Sequence, residues 1–155
     1  MIQRIQTIYL LVVALMFSVL FFVPFAGFSV DGAEYVLEAD SLKSLTDADA
    51  APVMAWPLFI LLCVMVLVPF ITIFLYNRRM LQVRMSIFSS VIDAMFYALY
   101  FYECYQVADR LSAETTYRIL PLLFPVLAII LNVLAIRNIA RDEMTIRALN
   151  SSRLR

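Results

Sequence analysis

Four long apolar runs dominate this chain of 155 residues and restrict what it can fold into. They cover roughly residues 7–23, 56–76, 86–105 and 119–136. Each run is long enough to cross the ~30 Å hydrocarbon core of a bilayer as a helix. Hydrophobic residues make up 64% of the chain, against about half in soluble proteins. The sequence therefore predicts an integral membrane protein.

The spacing of the runs predicts an all-α membrane protein, a bundle of four transmembrane helices in a single domain over residues 1–155. The predicted segments are transmembrane helices at about 5–26, 55–77, 84–107 and 117–137, an outer loop at 27–54, and a tail at 138–155. The first run is expected to be an uncleaved helix, because no clean small-x-small cleavage site follows it.

Basic residues collect on one side of the predicted membrane. Arg4 precedes the first run, Arg78, Arg79 and Arg84 lie in the short link after the second, and five arginines follow the fourth. The loop at 27–54 carries six acidic residues against the single Lys43. The positive-inside rule therefore places both termini in the cytoplasm and this loop outside.

The outer loop contains a turn signal. Asp31-Gly32 lies between two β-prone segments, and both positions of a tight hairpin turn need positive φ. Two readings stay open for residues 28–37, a small β-hairpin that leans on the helices or an irregular loop. The small and acidic stretch that follows, at 41–51, is read as a short helical turn or as loop.

The composition excludes several kinds of chemistry. The chain has no histidine, which excludes histidine-based catalytic triads, histidine zinc sites and histidine-ligated haem. Cys63 and Cys104 lie in separate runs and are read as buried small hydrophobes. The net charge of zero gives no general attraction to nucleic acid. We therefore predict no enzyme, no catalytic residue, no cofactor and no metal site. A membrane enzyme built on Glu103 and Asp109 is disfavoured, because these two are more simply part of a wet interfacial turn.

Asp93 is the most informative single residue, because it lies inside the third run. A carboxylate at that depth costs at least ~2.5 kcal/mol on insertion scales. It belongs to a polar stripe that repeats at helical spacing, so one helix face must point into the bundle or into water. The stripe consists of Ser86, Ser89, Ser90, Asp93, Tyr97, Tyr100 and Cys104.

Two further polar residues lie at a comparable depth, Thr72 on the second helix and Asn132 on the fourth. The predicted intramembrane polar cluster is therefore Asp93, Asn132, Thr72, Tyr97 and Ser90. One reading is that the cluster holds the helices in register through hydrogen bonds of ~0.6 kcal/mol each. The other is a proton-titrating or cation-binding site in a small transporter. In either case a lone acid without a basic partner is expected to be protonated.

The fourth helix is predicted to continue past the membrane, because helix propensity stays high to about Leu149 with no Gly or Pro to break it. The tail carries the arginines that would bind lipid or a partner: Arg137, Arg141, Arg147, Arg153 and Arg155. One reading is a basic anchor on anionic headgroups. The other is a docking helix for a membrane or cytoplasmic protein.

Both ends of the chain carry a family resemblance. The start, residues 1–11 (MIQRIQTIYLL), and the tail, Ile139-Ala140-Arg141-Asp142-Glu143 with Arg147 and a closing Arg153-Leu154-Arg155, resemble the bacterial four-span membrane proteins of domain-of-unknown-function family 4293, found largely in Bacteroidota. The resemblance covers the whole chain. It implies a bacterial inner membrane protein and implies no activity.

Two functions remain as hypotheses. The first is a structural or accessory membrane protein that works by binding partners, and the absence of a catalytic constellation favours it. The alternative is a small transporter or proton-coupled carrier centred on Asp93. Assembly as a homo-oligomer is compatible with both.

Overall fold

The computed structural model describes residues 3–30, 32–46, 53–75 and 78–153. The apolar runs form helices, and short segments at one end of these helices form strands. The helices are α1 (Gln3–Leu20), α2 (Trp56–Phe74), α3 (Arg79–Leu111) and α4 (Ile119–Arg153). The strands are β1 (Ala26–Val30), β2 (Ala33–Leu37), β3 (Ser41–Ser44), β4 (Val53–Met54) and β5 (Glu114–Tyr117).

The four helices pack around a common apolar core. Helix α1 contacts α2 and α4, and α3 contacts the same two neighbours. Large side chains from three of the helices are fully buried between them, including Phe17 of α1, Leu62 of α2 and Phe96 of α3. We call this part of the molecule the helical body.

The strands form one antiparallel sheet in the order β4-β3-β2-β1-β5. Strands β1 and β2 pair as a hairpin, with Val30 opposite Ala33. Gly32 lies between them at φ +85°, in the left-handed region that glycine enters at little steric cost. The hairpin reading of residues 28–37 is thereby confirmed, although Asp31 itself lies outside the described residues.

The sheet is attached to the helical body through Phe25, which immediately precedes β1. The Phe25 carbonyl oxygen accepts hydrogen bonds from the Tyr100 hydroxyl at 2.9 Å and from the Arg118 backbone N–H at 3.3 Å. The Phe25 ring packs edge-on against Phe96 and Tyr100 of α3, with centroids 6.0 Å and 6.3 Å away. This buried contact fixes the sheet to one end of α3.

The predicted fold class, an all-α four-helix bundle with a small outer loop, is wrong. The segment predicted as loop contributes four strands, and the link between α3 and α4 contributes the fifth. The stretch that follows the hairpin, read as a helical turn or loop, begins with strand β3. The backbone N–H and C=O groups of a folded segment need hydrogen-bond partners, and each strand here bonds to its neighbours in the sheet. The molecule combines helices with an antiparallel sheet.

Three of the helices are long and apolar enough to cross a membrane. They are Trp56–Phe74, Met80–Leu111 and Ile119–Arg141. The apolar part of α1, Thr7–Leu20, is shorter. Backbone hydrogen bonds from Phe21, Phe22 and Val23 to carbonyls three residues earlier extend α1 by one further turn.

Helix α4 runs well beyond its apolar part, from Arg141 to Arg153. The helical continuation expected from the sequence is therefore present and passes Leu149. At ~1.5 Å per residue the continuation adds roughly 18 Å to the helix.

Candidate functional site

Helix α3 carries a buried polar stripe along the side that faces the other helices. Gln82, Ser86, Ser89 and Asp93 are each no more than 3% exposed. Their spacings of four, three and four residues put them on one helical face. The stripe runs from the first turns of α3 to the middle of the helix and ends at Asp93, beyond which Phe96 and Tyr100 are buried.

Asn132 of helix α4 lies opposite this stripe and is fully buried. The Asn132 side-chain nitrogen donates to Asp93 Oδ2 at 3.1 Å and to Ser89 Oγ at 3.3 Å. Ala128 and Ala135, one turn away on either side, are also fully buried. Small residues at these positions let two helix backbones approach closely, so one amide can reach two side chains of the opposite helix.

Several buried oxygens of this site lack a partner within the part of the chain that the structure describes. They are Asp93 Oδ1, Asn132 Oδ1 and Ser86 Oγ. The ion pair between Lys43 and Glu38 lies on the sheet side, away from Asp93. A buried charge without a counter-ion is costly, so the protonated acid suits the site better than the carboxylate. The O–H of the protonated acid would add a second hydrogen-bond donor to the Asp93–Asn132 pair.

The other residues of the predicted cluster bond elsewhere. Thr72 is fully buried, but its hydroxyl donates to the Val68 carbonyl of its own helix at 2.6 Å. Ser90 likewise donates to the Ser86 carbonyl at 3.1 Å. The Tyr97 hydroxyl donates across to the Leu122 carbonyl of α4. The structure thus joins Asp93 directly to Asn132, and Tyr97 forms a separate link between α3 and α4.

Two members of the site were not in the predicted cluster. Ser89, rather than Ser90, is the serine that Asn132 contacts, and its position four residues before Asp93 was the available signal. Gln82 is buried on the same stripe. It was passed over because the predicted span began at residue 84, whereas the helix itself begins at Arg79.

The structure describes part of the predicted binding tail. Arg137 and Arg141 lie on α4 with exposed side chains. Arg147 and Arg153 belong to the same helix by their backbone, and Arg155 lies outside the described residues. The polar stripe of α3 and the tail of α4 are therefore separate features.

Two cavities lie beside the sheet. One is lined by residues of β2, β3 and the adjoining ends of α2 and α3, and a second lies along β1, β2 and β5. Asp93 lines neither of them. Within the described ranges, no group of three His, Cys, Asp or Glu side chains could hold a metal ion.

The fold and the site define a class of protein, one with membrane-length apolar helices, a polar contact buried between two of them and a small sheet at one end. The sequence profile of the family described as "Domain of unknown function (DUF4293)" matches residues 2–153. The chain belongs to this family, and the resemblance seen at its two ends is confirmed. No curated protein matches the chain.

Proposed function

We propose that this chain is a bacterial inner membrane protein that crosses the bilayer four times, with both termini in the cytoplasm and the sheet outside. We further propose that it acts as a structural or accessory protein, by binding partners, and not by catalysis.

The outward faces of the helices support a membrane location. Large apolar side chains are exposed along α2, α3 and α4, where lipid would cover them: Ile60, Leu67, Phe74, Met95 and Ile130 are examples. Apolar surface that continues over several helices is rare on soluble monomers. The arginines near the α2–α3 link and on α4 beyond residue 136 support the cytoplasmic placement of the end opposite the sheet.

The observation that carries the partner-binding proposal is the closed environment of Asp93. The side chain is fully buried, and its Oδ2 atom accepts a hydrogen bond from the Asn132 amide of the neighbouring helix. A hydrogen bond of this kind fixes the register of two helices. The groups left to meet other molecules are those at the two ends of the molecule, the sheet and the extension of α4.

The extension of α4 is the surface we assign to a partner. It projects past the apolar segment that ends at Arg141 and carries both acidic and basic residues, including Asp142, Glu143 and Arg147. Mixed charge on a projecting helix suits a protein partner, whereas the arginines alone suit anionic headgroups.

Truncation of the extension separates these roles. Removal of residues 142–155 should leave the membrane helices inserted, because their own hydrophobicity drives insertion, and should release the partner that co-purifies in mild detergent. The double variant Ser151→Ala, Ser152→Ala, which leaves every charged residue of the tail in place, is the matched control and should keep that partner. Quantitative mass spectrometry of the purified complexes measures both. If the truncated chain retained every partner, the docking role would be excluded and the lipid anchor would remain.

A second candidate, a small proton- or cation-coupled transporter, is favoured by the unpartnered oxygens Asp93 Oδ1 and Asn132 Oδ1. In a transporter, Asp93→Asn should abolish the cellular role while the melting temperature stays unchanged, because the amide cannot titrate. In a structural protein the same variant should keep its cellular role.

A further inference from the structure

A cavity of about 290 Å³ opens where the sheet meets the helical body. Its apolar wall is formed by Leu37 of β2, Leu42 of β3 and Val107 of α3. Its polar wall is formed by four residues from the last turns of α3, which are Tyr102, Glu103, Gln106 and Arg110. The volume is near the lower end of the range for small-molecule sites. We call it the sheet-side cavity.

The two charged residues of the sheet-side cavity are not paired with each other. Glu103 and Arg110 form no salt bridge with each other, although the positive charge of Arg110 acts on the Glu103 carboxyl group from a longer distance. Glu103 is partly buried, and its Cα atom lies about 10 Å along the helix axis from that of Arg110. A ligand that carries both a cation and an anion could contact both groups.

The Arg110 side chain is turned back toward the cavity. Its guanidinium donates to the Gln106 side-chain oxygen at 3.1 Å, and the Gln106 amide contacts the Tyr102 hydroxyl. This chain of contacts directs the guanidinium along α3 toward Glu103. A guanidinium held in this way can still donate to phosphate oxygens with its remaining N–H groups.

The sheet-side cavity lies at the level where lipid headgroups are expected. Trp56 adjoins the cavity residues Ala55 and Pro57, and it is 59% exposed at the start of α2. Tyr102 and Tyr105 are exposed on the same end of α3. Exposed Trp and Tyr at span ends mark the headgroup region.

We propose that the sheet-side cavity binds the headgroup of an ethanolamine phospholipid, with the phosphate on Arg110 and the ammonium on Glu103. An anionic lipid would use Arg110 but face Glu103, and a simple cation would face Arg110. A zwitterionic headgroup offers a cation to Glu103 and an anion to Arg110. Ethanolamine carries N–H donors for the carboxylate, which choline lacks. The apolar wall then contacts the glycerol and the first acyl carbons. The inference rests on the proposed membrane location.

Trp56 is the single tryptophan of the protein and adjoins the cavity, so its fluorescence reports on lipid bound there. The full chain is reconstituted into phosphatidylcholine bilayers that contain an equal fraction of one lipid brominated on its acyl chains. Three lipids are compared, the ethanolamine, glycerol and choline phospholipids, and quenching of Trp56 fluorescence gives the relative association constant of each. We expect the ethanolamine lipid to bind about tenfold more tightly than the other two, as a pair of charge-assisted hydrogen bonds allows.

Variants assign this preference to the cavity. Glu103→Gln should remove the preference for the ethanolamine lipid and increase quenching by the anionic glycerol lipid. Arg110→Gln should weaken the binding of both the ethanolamine lipid and the glycerol lipid. The matched controls are Asp109→Asn, the exposed neighbour on the same helix, and Arg118→Gln, an exposed arginine that does not line this cavity. Both controls should behave as the parent protein. If Glu103→Gln does not fold, Arg110→Gln is compared with Arg118→Gln. Weaker quenching by the ethanolamine lipid in Arg110→Gln alone supports the cavity, and equal quenching in the two variants excludes it.

Two outcomes overturn the proposal in different ways. Equal quenching by all three lipids in the parent protein, or a preference that survives Glu103→Gln, removes the headgroup site and leaves the membrane location intact. Absence of quenching by any brominated lipid shows that Trp56 does not meet a bilayer. That result removes the membrane location and, with it, the site.

Discussion

Asp93 and Asn132 form the polar contact whose chemistry can be changed most cleanly. The Asn132 amide nitrogen donates to Asp93 Oδ2, and the Oδ1 atoms of both residues are left without a partner among the described residues. Asparagine at position 93 would keep an acceptor for Asn132 and add an N–H₂ donor for its free carbonyl oxygen. Leucine would remove both functions.

We therefore expect Asp93→Asn to leave the free energy of unfolding nearly unchanged and Asp93→Leu to lower it by about 1–2 kcal/mol. Ser90→Ala is the control on the same helix and should have little effect, since the Ser90 hydroxyl bonds only its own helix. Thermal unfolding in detergent compares the three. A loss for Asp93→Asn equal to that for Asp93→Leu would mean that the site needs the carboxyl group itself.

Sequence reasoning found this contact from spacing and depth, but it could not choose all the partners. The stripe on α3 follows from helical periodicity, and Asn132 was selected because polar residues are rare at that depth. Thr72 was selected by the same argument, yet its hydroxyl bonds the carbonyl four residues earlier. Ser and Thr have this local alternative, whereas the longer Asn side chain here reaches across to α3.

At the scale of elements, the hairpin β1–β2 depends on the backbone of Gly32. This residue has φ +85° and nothing within 4 Å of where a Cβ would lie, so its requirement is conformational and not steric crowding. Gly27 on β1 offers a comparison, because a Cβ there would meet the Thr116 Cβ at an ordinary 3.9 Å.

We expect Gly32→Ala to destabilise the folded protein by about 1 kcal/mol, the cost of placing an L-residue in the left-handed region. Gly27→Ala should be neutral or slightly stabilising, because alanine restricts the unfolded chain more than glycine does. Melting temperatures in the same detergent test the pair. Equal losses in the two variants would contradict the conformational role of Gly32.

The hairpin could be predicted from sequence, but the rest of the sheet could not. Asp31-Gly32 between β-prone segments is a specific local signal. Strands β3 and β5 are four residues each, Ser-Leu-Lys-Ser and Glu-Thr-Thr-Tyr, and neither shows clear apolar alternation. Their pairing with β2 and β1 depends on contacts distant in sequence, which local periodicity does not record.

At the scale of the whole molecule, the sheet and the α4 extension lie at opposite ends of the helical body. The link between α1 and α2 and the link between α3 and α4 both supply strands, so these two links share one end. The short α2–α3 link and the start of the extension belong to the other end. The proposed four crossings, with both termini on the arginine-rich side, agree with this arrangement and with the charge distribution.

The most direct test of this account is the sidedness of the two ends. Leu45, just after β3, and Met144, in the α4 extension, are each 64% exposed and form a matched pair. Each is changed to Cys after Cys63 and Cys104 have been replaced by alanine, and a membrane-impermeant maleimide is applied to spheroplasts before and after permeabilisation. The account predicts that Leu45→Cys is labelled in intact spheroplasts and that Met144→Cys is labelled only after permeabilisation. Labelling of Met144→Cys from outside, or labelling of both from the same side, would contradict it.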